Sequence, residues 1–298
     1  MNAHDGVHLH HHRDAVLFTE AIAFTAARFG FVPALIEKDY FCSVVLAHLS
    51  NASQQTLVFK GGTCLTKVHA GFYRLSEDLD FVIPIAEDSR RVERSRKIDP
   101  VRQVLKNLFH AMPELHEEEA LTGANSSMQY IGTLSYESLL LHTRETIKIE
   151  LSLREPLLQP PVPHDAATIL MDPLSQRPLV PPVRFTCLSK QEAFAEKFRA
   201  AMTRREPAIR DYFDIDYAVA NGVIDPHDAS WIRMVRQKIQ VPSNEAIDVS
   251  GQRLRALRDQ LEPLLKPVLR IREFQPFDLD RAFTIVADVA AKLEASQA

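Results

Sequence analysis

The chain has 298 residues, 46% of them hydrophobic and 25% charged, with a formal net charge of −4. That length buries a sizeable core, in one large domain or two modest ones, without disulfides or a structural metal. The mild negative balance excludes a wholesale polycation, so any nucleic-acid contact must come from a local basic patch, and no apolar run approaches the ~20 residues that cross a bilayer. Cys42, Cys64 and Cys187 stand singly among apolar neighbours, which predicts core thiols in a reducing compartment. The N-terminus lacks a basic start followed by an apolar stretch, and a cytoplasmic protein without membrane contact is expected. His8, His10, His11 and His12 are dense enough for a divalent metal, but no Cys or carboxylate is spaced to complete the site, and a mobile arm is the expectation.

Taken in chain order, Asp14 to Phe29 has helical apolar spacing, and Pro33, suited to a first helical position, opens a second helix to about Leu49. "TLVFKGG" reads as a short buried strand stopped by glycines, Gly62 to Ala70 as a helix ending at Gly71, and Asp80 to Ile83 as a second strand closed by Pro84. From Glu87 to about Phe109 a charged segment is either a solvated helix interrupted by Pro100 or a basic face for nucleic acid, built on Arg90, Arg91, Arg94, Arg96 and Lys97. Strands are expected at Ser126 to Tyr136 and Glu145 to Leu153, the second with Ile147, Ile149, Leu151 and Leu153 on one face and Lys148, Glu150 and Ser152 on the other. The proline-rich passage that follows, Glu155 to Val183, fits neither a regular helix nor a central strand and marks a domain boundary or a wrapping connection. Beyond it five helices are expected: Ser189 to about Thr203, Pro207 to Ala220, Asp228 to Lys238, Gly251 to Leu265 and Leu279 to Glu294.

The chemistry concentrates in "FKGGTCLTKVHAGFYRLSEDLDFVI", Phe59 to Ile83. Gly61 and Gly62 allow close backbone approach to a ligand, and amides at the start of the next helix, from Thr63 on, make an anion cradle. Asp78 and Asp80, two apart at a strand start, put both carboxylates on one side and Leu79 on the other. Such a pair repels unless a cation lies between, and Mg²⁺ is commonly held by one or two carboxylates plus substrate phosphates. An acidic pair is also ordinary turn chemistry, and it is the preceding glycines that turn the reading toward a metal site. The Walker-type loop is absent.

Four segments, "IEKDYFCSVVLAHL" (Ile36 to Leu49), "LVFKGGTCLTKVHAGFYRLSEDLDFVI" (Leu57 to Ile83), "IKIELSL" (Ile147 to Leu153) and "EAFAEKFRAAMTRREPAIRDYFDIDYAV" (Glu192 to Val219), together resemble the AbiEii/AbiGii toxin family. That family includes the MenT toxins of mycobacteria and belongs to the nucleotidyltransferase superfamily that also holds polymerase β. The resemblance implies an α/β (α+β) fold, a nucleotidyltransferase-like mixed sheet with flanking helices in residues 1–185, and an all-helical C-terminal domain in 186–298 completing the active site. It further implies Mg²⁺ or Mn²⁺ as cofactor on Asp78 and Asp80, an NTP as substrate, and transfer of nucleotide to RNA, in MenT relatives the tRNA 3′ end, which blocks translation and growth. A cognate antitoxin is the implied protein partner.

Carried over residue by residue, Gly61, Gly62 and Thr63 contact triphosphate, with Lys67 and Arg74 at matching basic positions beside them; Lys60 is similar. Lys197 neutralises triphosphate charge, and Asp211 or Asp214, one helical turn apart, orients the nucleotide. Glu150, on the polar face of its strand, is the candidate third carboxylate, a metal ligand with Asp78 and Asp80 or the general base; the alternative is a surface residue paired to Lys148. Ser76 lies two residues before Asp78, so a phosphate there would oppose triphosphate binding, a possible regulatory site. Two other functions fit the residues: a catalytically silent nucleotide-sensing module, and a metal-dependent nuclease. No Ser/His pair or cysteine has a triad-like setting.

Overall fold

Asp14 accepts a hydrogen bond from Leu17 N at 3.1 Å and Gly30 closes the same helix at φ 80°, which bounds α1 (Ala15–Phe29) as its apolar period predicts. The computed structural model describes residues 9–53, 57–86, 88–154, 156–242 and 244–295. They divide into two units, one ending at Leu188 and one starting at Ser189.

In the first unit α2 (Pro33–Ser53) leads to β1 (Val58–Lys60), α3 (Gly61–Cys64) and β2 (Leu79–Val82). Then come α4 (Arg91–Ala111), β3 (Leu115–Ala124), β4 (Gln129–Glu137), β5 (Arg144–Ser152), β6 (Val162–Ala166) and β7 (Val183–Cys187). The seven strands form one mixed sheet in the order β3-β4-β5-β2-β1-β7-β6. β2 pairs antiparallel with β1 and parallel with β5, and β1 is parallel to β7. Phe59 and Phe81, cross-strand partners, pack with Phe185 at ring separations of 5.5–5.8 Å and are buried in the core beneath α2.

Several elements differ from expectation. α4 passes through Pro100 without a break; the proline forfeits one backbone hydrogen bond, while Ile98, Val101, Leu105 and Leu108 stay buried and hold the helix on the core. β3 was not legible, because Glu117, Glu118 and Glu119 lie on an edge strand whose side chains are mostly exposed. β6 falls inside the proline-rich passage, on the opposite edge, where Pro163 costs little. The expected helix after Gly62 is four residues of α3 continued by a π-helical turn, Leu65–His69. The histidine cluster is no mobile arm over its described part: His12 is buried, with Nδ1 2.8 Å from the Tyr40 hydroxyl, while His8 lies outside the described residues. All three cysteines are free and buried.

The second unit contains α5 (Lys190–Thr203), α6 (Ile209–Ala220), α7 (Ala229–Gln240), α8 (Gly251–Arg258), α9 (Ile271–Phe274) and α10 (Leu279–Ala295). Ser189 caps α5 by accepting from Glu192 N at 3.2 Å. The helix expected over Gly251 to Leu265 ends at Arg258, and Leu261–Leu265, with Pro263 inside, is a separate π-helical turn. Phe198 against Trp231 at 4.8 Å and Tyr212 stacked on Phe283 at 5.9 Å tie α5 to α7 and α6 to α10. Among the described residues no single helix is long and apolar enough to cross a membrane. α1 and α2 together have the length and hydropathy but are bent by 115°, and Phe18, Ile22, Tyr40 and Val45 on them are core.

Candidate active site

β1 ends at Lys60 and the chain turns at once into α3 through Gly61, whose φ of +74° is open to glycine at little cost. A Cβ on Gly61 would stand 2.0 Å from Asp80 Oδ2 and 2.7 Å from Asp80 Cβ. The Asp80 carboxylate therefore lies directly against the bare α-carbon of the turn. At Gly62 a Cβ would meet Arg74 Nη2 at 2.7 Å and Ser76 Oγ at 2.9 Å. Both glycines are required because the side chains of Asp80 in β2 and of Arg74 and Ser76 before it occupy the volume a methyl group would need. Thr63 Oγ1 donates a short hydrogen bond to the Asp78 carbonyl, so the start of α3 and the start of β2 are tied together.

Strand register sets the charge pattern. Lys60 pairs with Asp80, and Asp80 pairs with Glu150, which brings one cation and two acids into a row across β1, β2 and β5 on the face opposite Phe59 and Phe81. Asp78, just before β2, is exposed and Asp80 half-buried. Lys148 Nζ lies 2.9 Å from Glu150 Oε2. Burial pushes the Glu150 carboxyl up, but the Lys148 hydrogen bond and charge outweigh it and the net shift is downward. Glu150 thus stands beside Asp80 as an ionised carboxylate whose partner is Lys148, the surface pairing weighed against a third-carboxylate role. Among the described residues no three His, Cys, Asp or Glu side chains gather into a metal set, so Glu150, expected as a metal ligand, does not join Asp78 and Asp80 in one. The donor chemistry at Asp78 and Asp80 is hard oxygen beside an amide-lined turn that a Cβ would fill, which suits Mg²⁺ or Mn²⁺ completed by substrate phosphates rather than a closed protein cage.

Two basic residues expected to contact triphosphate are buried instead. Lys67 Nζ has no exposed side-chain surface; it bonds Asp39 Oδ1 at 2.7 Å and Ser43 Oγ at 2.9 Å. Its carbonyl accepts from Ala167 N at 2.9 Å, so this lysine fastens the cradle helix to α2 and to the chain after β6. Arg74, also buried, packs its guanidinium behind Gly62 and donates to Leu75 O at 3.0 Å. It contributes positive charge behind the cradle without entering its open side. Sequence reasoning missed Asp39; a buried carboxylate on a mostly apolar helix implies a buried cation, and that was the available signal.

Within the helical unit, Lys197 Nζ lies 2.7 Å from Asp211 Oδ1 and 2.9 Å from Asp214 Oδ2, while Arg204 Nη1 approaches Asp211 Oδ2 at 3.3 Å. Burial raises the Asp211 carboxyl, but the charges of Lys197 and Arg204 prevail and hold it below its ordinary value. Lys197 engages both Asp211 and Asp214, so its ion pairs do not single out either acid. A second buried cluster was not anticipated: Lys238 Nζ, fully enclosed, bonds Glu192 at 2.7 Å and Glu196 at 3.2 Å, locking α5 against α7.

A strand, a glycine turn, a short helix and a carboxylate strand in a mixed sheet define a nucleotidyltransferase-like fold. Two solved structures share it: JHP933 from Helicobacter pylori, at 15% identity and TM-score 0.50 over 90% of this chain and 96% of that one, and a putative nucleotidyltransferase from H. pylori, at 15% identity and TM-score 0.51 over 89% and 97%. Residues 44–283 match the family described as nucleotidyl transferase AbiEii toxin, type IV toxin-antitoxin system. The chain belongs to that family of toxins, whose systems pair each toxin with a cognate antitoxin. No curated protein matches the chain in sequence.

Proposed function

We propose that this toxin transfers a nucleotide from an NTP to an RNA acceptor, the tRNA 3′ end in the first instance, and arrests growth by doing so. The observation that carries the proposal is the packing of Asp80 against Gly61, which sets a carboxylate directly beside the glycine turn that opens α3. In this reading the α3 amides take the triphosphate, backed by the buried Arg74 guanidinium, and Asp78 and Asp80 hold Mg²⁺ or Mn²⁺. When bound, the metal neutralises charge on the reacting phosphate. Glu150, kept ionised by its pairing with Lys148, is assigned the proton of the acceptor hydroxyl, which it would take on leaving that pair. Lys197, held between Asp211 and Asp214, is assigned to the charge of the nucleotide, and Lys197→Met is expected to weaken NTP binding. Catalysis then rests on positioning and electrostatics, with no covalent enzyme intermediate.

Purified protein incubated with total RNA, Mg²⁺ and each labelled NTP in turn tests the proposal. RNA lengthened by labelled nucleotide, lost with Asp80→Ala together with growth arrest, is the expected result. Undiminished arrest by Asp80→Ala overturns it, as does shortened RNA, which would assign a nuclease.

A further inference from the structure

The charged segment that opens α4 is not absorbed by the site above. Five of the eight residues from 90 to 97 are cationic, Arg90, Arg91, Arg94, Arg96 and Lys97, in a chain whose net charge is −4. The one acid among them, Glu93, is already engaged, because its Oε2 accepts from Arg90 N at 2.8 Å. Among the described residues no carboxylate pairs with Arg90, Arg91 or Arg96, and all three are exposed. Elsewhere in the same unit several surface arginines are matched: Arg144 with Glu118 and Glu137, Arg184 with Asp165, Arg102 with Asp99.

The position of the charges on the helix is unusual as well. Arg94 and Lys97 precede Ile98 and Val101 by four residues, so they continue the buried stripe one turn toward the N-terminus. A face that is apolar where it meets the core becomes cationic where it leaves it. Lys97 donates to Pro84 O at 3.3 Å, which fixes this cationic turn beside the end of the β2 extension. Ile83 still bonds Ser152 O at 3.0 Å, so the chain remains extended there. At ~3.3 Å per residue the four steps from Asp80 to Pro84 span about 13 Å. Unpaired guanidiniums suit phosphate oxygens, which they can grip through two N–H groups, and the positive end of α4 adds to the same field.

We infer that the first turns of α4, with Arg90, Arg91 and Arg96 exposed, form a backbone-binding surface for the RNA acceptor, anchored through Lys97 at Pro84, about 13 Å along the chain from Asp80. The inference rests on the RNA-acceptor reading. It is tested with the full-length chain by anisotropy of labelled total tRNA between 50 and 200 mM KCl. The triple variant R90A/R91A/R96A is expected to bind at least tenfold more weakly at 50 mM. Its log K against log[KCl] should be shallower by about 2 to 3, at ~0.7–0.9 for each phosphate no longer neutralised. ATP binding should be unchanged. A control triple with the same loss of charge, R144A/R184A/R258A, should keep the wild-type slope. Equal slopes for wild type and patch variant overturn the surface and leave the RNA reading standing, as do equal losses in both triples. Binding of polyglutamate that is lost in the patch variant while tRNA binding persists would reassign the patch to an acidic protein. A wild-type chain that binds no RNA overturns both readings.

Discussion

Replacing Gly61 by alanine isolates the contact on which the proposed site depends. The φ of +74° places the new residue in the left-handed region, at a cost of about 1–2 kcal/mol. The larger effect is steric. The added methyl would sit 2.0 Å from Asp80 Oδ2, against ~3.5 Å or more for ordinary contact between heavy atoms, so the carboxylate must retreat by more than 1 Å. A displacement of that size at a positioning group costs about 10²-fold in rate. The methyl also presses on Asp80 Cβ at 2.7 Å, so an overpacking cost of about 1–3 kcal/mol adds to the conformational one. Gly61→Ala should lower the melting temperature by several degrees or more, at ~2–4 °C per kcal/mol for a unit of this size. RNA labelling should fall on the order of a hundredfold. Paired thermal melts and single-turnover labelling measure both. A variant that loses those degrees yet labels RNA at the wild-type rate would refute the placement of Asp80 at the cradle. One that fails to fold would be replaced by Asp80→Asn, for which labelling loss with full stability is expected.

Lys67→Met should strand the buried Asp39 carboxylate, whose Oδ2 already has no hydrogen-bond partner, and destabilise the chain by about 3–5 kcal/mol. Adding Asp39→Asn should recover much of that; a stable Lys67→Met protein that loses NTP binding would return this lysine to the phosphate site. Burial holds the His12 imidazole down to about 4 despite Glu114 nearby, whereas the unfolded chain titrates near ~6.5. The folded value is the depressed one, so the contribution is complete above ~6.5 and is lost as pH falls toward 4, by about 3 kcal/mol in all. The stability gap between wild type and His12→Gln should shrink over that window, and a constant gap would contradict it. Ser76 Oγ lies in the volume a Cβ on Gly62 would reach, at 2.9 Å, so a phosphate there, with a charge of about −1.5 to −2, should weaken NTP binding at least tenfold. Ser76→Asp is the approximation to test, with Ser76→Ala near wild type; equal NTP affinity in all three proteins would remove Ser76 as a control point.

Much of the fold was legible because its signals are local. The helical period of α1, Asp14 before it and Gly30 after it, and the two-residue alternation of β5 are set by neighbours in sequence. The two edge strands were not, for opposite reasons. β3 carries three consecutive glutamates whose strand geometry comes only from pairing with β4, and β6 is short and contains a proline that is tolerated at an edge. Pro100 misled in the other direction, since burial of one helical face outweighed a local penalty.

The chain's sequence by itself determined the family, the glycine turn and the acidic pair, because these depend on residue identity at fixed spacing. Tertiary structure decided what each neighbouring charge does. Lys67 and Arg74 read alike as cations beside a cradle, yet one is neutralised by Asp39 from another helix and the other lies behind Gly62. Glu150 meets Asp80 only through parallel register, and Lys148 then claims it. A charge's role follows from which partner reaches it within about 4 Å and how much water is excluded, and neither quantity is written in the order of residues along the chain.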